Sequence, residues 1–303
     1  MNVASTNRTS IEYSRKLKDS ITMSFRQSLA EPIKVLTIAG ADSGGSVGLQ
    51  ADLQTFGVLG AFGLSALTVA TAQNSAGITA VHFLPPDFLT KQLDAVLSDY
   101  GQQGNGIQGI KTGFLAQVSL IEVVADKLRE YQSAALVVDP VLVNGRGEAM
   151  FPKAVVDAYC MKLLSLATVV TPNRHELRLL ANIDEPQTLA EFETAVSRIH
   201  QLGPRYVLAK GFCAGDQIVD VLYDGHQFTH FVAPRIKTKN IKGSGDTLSA
   251  ALCVFLARGN GMETAVRQAH RFTHAALTAA AGWRLGKGAG PLGQWIVDFG
   301  NVL

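Results

Sequence analysis

Residues 239–256 of the chain are KNIKGSGDTLSAALCVFL. Gly243, Ser244 and Gly245 form a turn of small residues, and apolar side chains then recur at the i, i+3, i+4 and i+7 positions counted from Leu248. This pattern predicts a loop that opens into an amphipathic helix. The first N–H groups of such a helix lack intrahelical partners and point outward with the positive end of the helix dipole, so this turn is suited to bind an anion.

Asp246 stands in the first turn of that predicted helix, and two interpretations of it are open. A Ser or Asp before an apolar run commonly caps a helix and does nothing else. Alternatively, the glycines let a phosphate come close to the backbone, and Asp246 supplies a carboxylate that takes a proton beside it. The stretch alone does not separate a cap from an active site.

Composition excludes several classes of protein. The 303 residues are 47% hydrophobic and 17% charged, which indicates a globular chain with a large core. The formal net charge of +2 gives no reason to expect nucleic acid or a membrane surface as a partner. Cys160, Cys213 and Cys253 are odd in number and far apart, so we expect reduced thiols and a cytoplasmic location.

The chain is predicted to have a flexible N-terminal tail and one folded domain. Residues 1–32 are mixed polar, with acidic residues and no apolar core of a signal peptide. From residue 33 onward the sequence pattern changes, and short apolar runs alternate with segments that have the apolar spacing of helices. No linker or repeat interrupts this alternation, so we assign residues 33–303 to a single domain.

The alternation of strands and helices predicts an α/β fold with a mostly parallel sheet. IKVLTIAG (33–40) has the buried character of a parallel strand, a glycine-rich turn and a helical pattern follow it, and LSALTVATAQN (64–74) is the next strand. The same order continues as far as RYVLAKG (205–211), which favours a doubly wound sheet. Residues 217–232 alternate around Asp224-Gly225-His226 instead, so a hairpin with an antiparallel edge is expected there.

Two phosphate-binding patterns occur in part and are set aside. Gly104, Gly106 and Gly109 have the G-x-G-x-x-G spacing, but they follow a predicted helix and precede a strand, which is the reverse of a dinucleotide site. The Walker spacing also fails, because Ile110 separates Gly109 from Lys111. The hypothesis that the protein is a nicotinamide-dependent oxidoreductase would have only this misplaced glycine pattern as its evidence.

Polar residues follow the predicted parallel strands, at the edge where open α/β sheets bind ligands. Asp139 and Glu176 are candidate Mg²⁺ carboxylates, since Mg²⁺ keeps several waters and takes one or two carboxylates with substrate phosphate. Lys210 supplies a point charge for phosphate. Together with the anion-binding turn, these residues predict phosphoryl transfer without a Walker loop. The other residues at this edge are Asp42, Gln73, Asn74, Lys111, Thr112 and Asn173.

Seven blocks of sequence, in order, resemble the hydroxymethylpyrimidine and phosphomethylpyrimidine kinases of thiamine biosynthesis, members of the ribokinase-like superfamily. The resemblance covers about residues 35–291. The blocks are IAGADSGGSVGLQADLQTFGVLGAFG (38–63), TAQN (71–74), KTGFL (111–115), VVDPVL (137–142), VVTPNRHE (169–176), LAKG (208–211) and TKNIKGSGDTLSAAL (238–252).

This resemblance implies a three-layer α/β/α fold without a large lid domain, two ATP-dependent phosphorylations at one pyrimidine site, Mg²⁺ and a homodimer. It also implies roles for individual residues. Asp139 and Glu176 correspond to the magnesium carboxylates, and Asp246 stands at the position of the base beside the anion hole of Gly243, Ser244 and Gly245. The implied pyrimidine-binding residues are Gly40, Asp52, Gln73, Phe114 and Val141, and the implied nucleotide-binding residues are Asn173, Lys210 and Thr238.

Three departures from the common family pattern leave the substrate open. Asp246 replaces the cysteine of many members, and related sugar and pyridoxal kinases use an aspartate there. Phe114 stands where methionine is common, and residues 141–150 lack the usual alanine-lysine-serine-glycine run. A pyridoxal kinase and a non-catalytic pyrimidine-sensing protein therefore remain alternatives, and the sequence does not decide whether one or both phosphorylations occur.

Overall fold

The computed structural model describes residues 31–131 and 135–297. Nearly all of the predicted N-terminal tail, residues 1–32, lies outside the described part of the chain. The described residues from Ile33 onward belong to one compact unit. No helix among the described residues has the length and apolar character needed to cross a bilayer.

Nine strands and eight α-helices alternate along most of this unit. The strands are β1 (Lys34–Asp42), β2 (Phe62–Asn74), β3 (Gly77–Phe83), β4 (Gly109–Thr112), β5 (Ala135–Val138), β6 (Val169–Val170), β7 (Tyr206–Ala214), β8 (Gln217–Tyr223) and β9 (Phe228–Pro234). The helices are α1 (Gly48–Val58), α2 (Pro86–Asp99), α3 (Val118–Glu130), α4 (Lys153–Ala158), α5 (Arg174–Ala181), α6 (Leu189–His200), α7 (Ser244–Ala257) and α8 (Met262–Ala280).

The strands form one sheet in the order β3-β2-β1-β4-β5-β6-β7-β8-β9. The six strands from β2 to β7 in this order pair in parallel, and β3, β8 and β9 pair antiparallel at the two edges. The mostly parallel sheet and the hairpin at residues 217–232 are therefore confirmed. In that hairpin, one carboxylate oxygen of Asp224 accepts hydrogen bonds from the N–H groups of His226 and Gln227 and so holds the turn.

Two apolar cores, one on each face of the sheet, make the fold a three-layer α/β/α sandwich. Leu36 and Ile38 of β1 face a core that includes Leu93 of α2 and Phe192 of α6. Val35 faces the opposite core, which α1, α7 and α8 cover. Both faces of the central strands are buried, which explains why β1 is a nearly continuous apolar run rather than an alternating one.

The structure corrects two expectations. Strand β3 was not predicted, because six of its seven residues are exposed and the segment lacks the burial pattern of an interior strand. Helix α7 is not amphipathic, since every residue from Thr247 to Phe255 is buried. The cause is its position between α1, α8 and the sheet, which surround it on all sides.

Candidate active site

Helix α7 points its N-terminus at the edge of the sheet where the parallel strands end. Gly243 is the N-cap residue, with φ of 82°, and no side chain caps the helix there. A Cβ at Gly243 would lie 2.1 Å from the carbonyl oxygen of Ser46 in the β1–α1 loop, so only glycine fits this close approach. The capping interpretation therefore does not account for Ser244 and Asp246, which stand inside the first turn.

Asp246 contacts a lysine that is buried beneath it. The ammonium nitrogen of Lys111 on β4 lies 3.2 Å from Oδ1 of Asp246, and 2.5 Å from Oδ1 of Asp52 on α1. The side chains of Lys111 and Asp52 are 0% exposed, whereas that of Asp246 is 14% exposed. Burial lowers the pKa of Lys111, but the charges of Asp52 and Asp246 outweigh burial and raise this pKa above its ordinary value. Lys111 is therefore a fixed positive charge.

Asp52 does not reach the surface of the site in this structure. One of its carboxylate oxygens contacts Lys111, and the other accepts a 2.6 Å hydrogen bond from the hydroxyl group of Thr37 on β1. Asp52 thus has no exposed surface and has partners for both carboxylate oxygens, and its contact with a pyrimidine stays a prediction. Its contacts connect it to Asp246 through Lys111.

A second buried pair joins Asp139, at the end of β5, to Lys210 on β7. The Lys210 ammonium nitrogen lies 2.8 Å from Oδ1 of Asp139, and the hydroxyl groups of Thr171 and Ser249 also donate hydrogen bonds to this carboxylate. Burial would raise the pKa of Asp139, but Lys210 and Lys111 outweigh it and lower this pKa. A Cβ at Gly245 would lie only 3.3 Å from the Lys210 nitrogen, so Lys210 sits directly beside the start of α7.

Glu176 and Asn173 form the capping box of α5. The Asn173 side chain accepts from the N–H groups of His175 and Glu176, and Glu176 Oε2 accepts from the Asn173 N–H. Glu176 Oε1 also accepts from the N–H of Leu142, at 3.3 Å. Burial, followed by the negative charge of Asp139, raises the pKa of Glu176 to about 8. For Asn173 the structure thus shows the capping role, although this residue also lines a cleft.

The residues expected on the pyrimidine side lie around the ends of β1, β2 and β4. A Cβ at Gly40 would be 3.0 Å from Cδ1 of Phe114, and the Phe114 ring packs on Phe151 at a centroid distance of 5.5 Å. Gln73 is half-buried at the end of β2, and its backbone N–H donates to the hydroxyl group of Ser43 at 2.8 Å. Val141 is half-buried two residues after Asp139.

An open cleft of about 1360 Å³ adjoins the other side of the α7 N-terminus. The three predicted nucleotide-side residues, Asn173, Lys210 and Thr238, all line it, together with Ser244 and Gly245. The structure therefore brings the nucleotide-side residues to one cleft. The Thr238 hydroxyl donates to the carbonyl oxygen of Ala281 at 2.9 Å and accepts from the N–H of Asn240, which fixes the loop before α7.

Sequence reasoning missed several residues of this site. Lys242 donates from its ammonium group to the carbonyl oxygens of Asn74 and Ser75, both at 3.0 Å, and so ties the β2–β3 turn to the loop before α7. The N–H of Gly288, which lines the cleft, donates to the Ser75 hydroxyl at 3.0 Å. In the sequence, a single lysine such as Lys242 and a glycine-rich segment such as the one around Gly288 carry no distinctive signal. Thr37, a polar residue within an otherwise apolar buried strand, was the signal that could have identified the Asp52 network.

Asp139 and Glu176 are the carboxylates that stand where a metal ion is expected. No cluster of three or more His, Cys, Asp or Glu side chains suited to a metal ion occurs among the described residues. Asp139 and Glu176 are nevertheless buried carboxylates at the sheet edge, beside Lys210 and the start of α7. Their chemistry fits Mg²⁺ held largely through water and substrate phosphate, and it does not fit a closed cage of protein ligands.

A parallel sheet that ends at two buried lysine–aspartate groups, with a helix N-terminus directed at the same edge, has the features of a phosphotransferase site. Comparison with known proteins gives the family. The phosphomethylpyrimidine kinase model matches residues 42–293, and the chain belongs to that family. The predicted family and fold are thus confirmed.

Two relatives and one solved structure illustrate this similarity. The chain is 43% identical over 262 residues to the thiamine biosynthesis bifunctional protein ThiED of Geobacter sulfurreducens, a match that covers 85% of this chain and 51% of that protein. It is 40% identical over 268 residues to the hydroxymethylpyrimidine/phosphomethylpyrimidine kinase of Mycobacterium leprae, covering 86% and 93%. An ADP complex of Bacillus subtilis pyridoxal kinase superposes with a TM-score of 0.79 at 35% identity, covering 86% and 97%. The chain spans about half the length of the bifunctional relatives.

Proposed function

We propose that the protein is an ATP-dependent kinase that phosphorylates 4-amino-5-hydroxymethyl-2-methylpyrimidine and then its monophosphate, giving the diphosphate. The observation that carries this proposal is Asp246, a partly exposed carboxylate in the first turn of α7, which the buried Lys111 holds directly after Ser244 and Gly245 of the cleft lining. A nucleotide in the cleft would place its terminal phosphate at the helix N-terminus, and the acceptor alcohol would lie on the other side of Asp246.

In the first transfer, Asp246 accepts the proton of the hydroxymethyl group as its oxygen forms a bond to the γ-phosphorus. The bond from the γ-phosphorus to the bridging oxygen of ADP breaks, and ADP leaves with that electron pair. The N–H groups at the start of α7 and the Lys210 ammonium group stabilise charge on the transferred phosphoryl group. A positioned base is worth about 10²- to 10⁴-fold in rate.

The remaining site residues have proposed roles of their own. Gln73 offers an amide donor and an acceptor to one edge of the pyrimidine ring. Gly40, Phe114 and Val141 form the apolar wall of that pocket, and Asn173 and Thr238 bound the nucleotide cleft. Mg²⁺ held by Asp139 and Glu176 through water would neutralise phosphate charge.

Incubation with Mg-ATP and, in separate reactions, hydroxymethylpyrimidine, its monophosphate and pyridoxal, followed by product mass, tests this function. We expect phosphorylated products from the first two compounds. Exclusive turnover of pyridoxal would overturn the proposal in favour of the second candidate, a pyridoxal kinase, which the aspartate at position 246 and the similarity to the Bacillus enzyme favour. Absence of ATP consumption with all three would favour a non-catalytic sensor.

Asp246→Asn tests the base directly. The substitution retains the shape of the side chain but removes its capacity to accept a proton, so we expect kcat to fall by about 10²- to 10⁴-fold. Near-normal turnover of this variant would show that the base assignment is wrong. A homodimer, which the family resemblance implies, and a cytoplasmic location, which the cysteines indicate, remain predictions. Size-exclusion chromatography with light scattering would test the first, and cell fractionation the second.

A further inference from the structure

The least accessible lysine of the site has no direct route to either substrate. Lys111 is 0% exposed, lies in the middle of the short strand β4, and contacts carboxylates on two different helices. Its neighbours on β1 and β5 are Thr37 and Val137, which are also fully buried. A group enclosed in this way does not contact a substrate, so it affects the reaction through the protein groups around it.

We propose that Lys111 is a positioning residue that holds Asp246 in its catalytic orientation, an inference that rests on the proposed kinase function. The Lys111 ammonium group binds Oδ1 of Asp246, which leaves Oδ2 to receive the proton of the acceptor alcohol. Asp52 is the anchor of this arrangement, because its two oxygens hold Lys111 and Thr37 inside the protein. Asp246 is thereby fixed to the sheet by an ion pair as well as to α7 by its backbone.

Charge balance supports this assignment. Asp139 and Lys210 also lie near Asp246 and neutralise each other as a 2.8 Å ion pair. Lys111 is therefore the cation in direct contact with both Asp52 and Asp246. Without Lys111, Asp246 would lose the ion pair that fixes its carboxylate to β4 and would be free to turn away from the acceptor alcohol.

A single Lys111→Met substitution would leave the Asp52 carboxylate buried without its ion-pair partner, a change that is strongly destabilising and can prevent folding. The informative variant is therefore Lys111→Met with Asp52→Asn, compared with Asp52→Asn alone. Lys34→Met is the matched control, since Lys34 is also buried, donates to the Gln103 carbonyl oxygen, and lies at the first residue of β1, the end opposite to the site.

Steady-state rates with Mg-ATP and hydroxymethylpyrimidine would be measured for these variants. Each variant would be made in two backgrounds, one with the native Asp246 and one that also carries Asp246→Asn. We expect the lysine substitution to lower kcat by at least tenfold with KM changed less than threefold, and to have no further effect when Asp246 is already Asn. Equal factors in both backgrounds, or a rise in KM with kcat unchanged, would overturn the proposal. Lys34→Met should leave kcat unaltered.

A crystallographic comparison separates failure of this inference from failure of the proposed function. We expect the Asp246 carboxylate to leave its position in the Lys111→Met/Asp52→Asn variant and to keep it in Asp52→Asn. An unmoved carboxylate in the first variant would overturn the inference, whether or not the wild-type protein phosphorylates a pyrimidine.

Discussion

Gly243→Ala is the substitution whose effect on the site follows most directly from the structure. Two costs apply. Alanine at φ of 82° costs about 1–2 kcal/mol in the free energy of unfolding, and a Cβ 2.1 Å from the Ser46 carbonyl oxygen requires the backbone to move. That movement displaces the first turn of α7, where each lost charge-stabilising donor costs about 2.7–4 kcal/mol in the transition state. We therefore expect kcat to fall by about 10²- to 10³-fold.

Gly259→Ala provides a control at the other end of the same helix. Gly259 follows α7 with φ of 81°, nearly the value of Gly243, but a Cβ there would have no atom within 4 Å. It should therefore show the conformational cost of about 1–2 kcal/mol in urea denaturation without any loss of kcat. If Gly243→Ala retained kcat within about threefold while its stability matched that of Gly259→Ala, the close approach to Ser46 would not matter for the site, and the reasoning would be refuted.

Three further predictions concern binding and reactivity. Gln73→Leu should weaken pyrimidine binding far more than ATP binding in isothermal titration; equal losses of both would indicate misfolding. Asp52→Asn should change the KM for the pyrimidine less than threefold because Asp52 is fully enclosed, and a tenfold rise would support direct contact instead. Burial raises the pKa of the Cys253 thiol, whereas Cys213 is exposed, so Ellman's reagent should modify Cys213 rapidly and Cys253 only on unfolding. Rapid modification of Cys253 in the native protein would contradict its burial.

The parallel part of the fold was predictable because burial on both faces imposes a distinctive composition. Strand β1 is nearly continuously apolar, and the strands after it recur with intervening helical patterns. Strand β3 was not predictable in this way, since its stability comes from pairing with β2 at an exposed edge rather than from burial. For α7 the apolar residues at helical spacing were recognised, but its complete burial depends on α1 and α8, which contact it from distant parts of the sequence.

The site was predictable only at the level of residue type and strand end. Asp139 and Lys210 were identified singly, and the ion pair between them depends on the register of β5 to β7 through β6. Resemblance to the family indicated Asp52 as a substrate residue, whereas the structure encloses its carboxylate with Lys111 and Thr37. Contacts of this kind link positions 15 and 59 residues apart, so no local pattern reveals them.

The two buried lysine–aspartate groups are not explained by the stability of the fold. Replacing a buried ion pair by apolar residues of similar volume is often neutral or stabilising by about 1–4 kcal/mol, because burial removes both charges from water. The sheet could therefore be as stable with apolar residues in place of Lys111 and Asp52. Both groups instead lie next to the α7 N-terminus, where Lys210 approaches Gly245 and Lys111 contacts Asp246. Fixed charges at a helix start suited to phosphate meet a requirement of phosphoryl transfer, and this is the reason to attribute both groups to function.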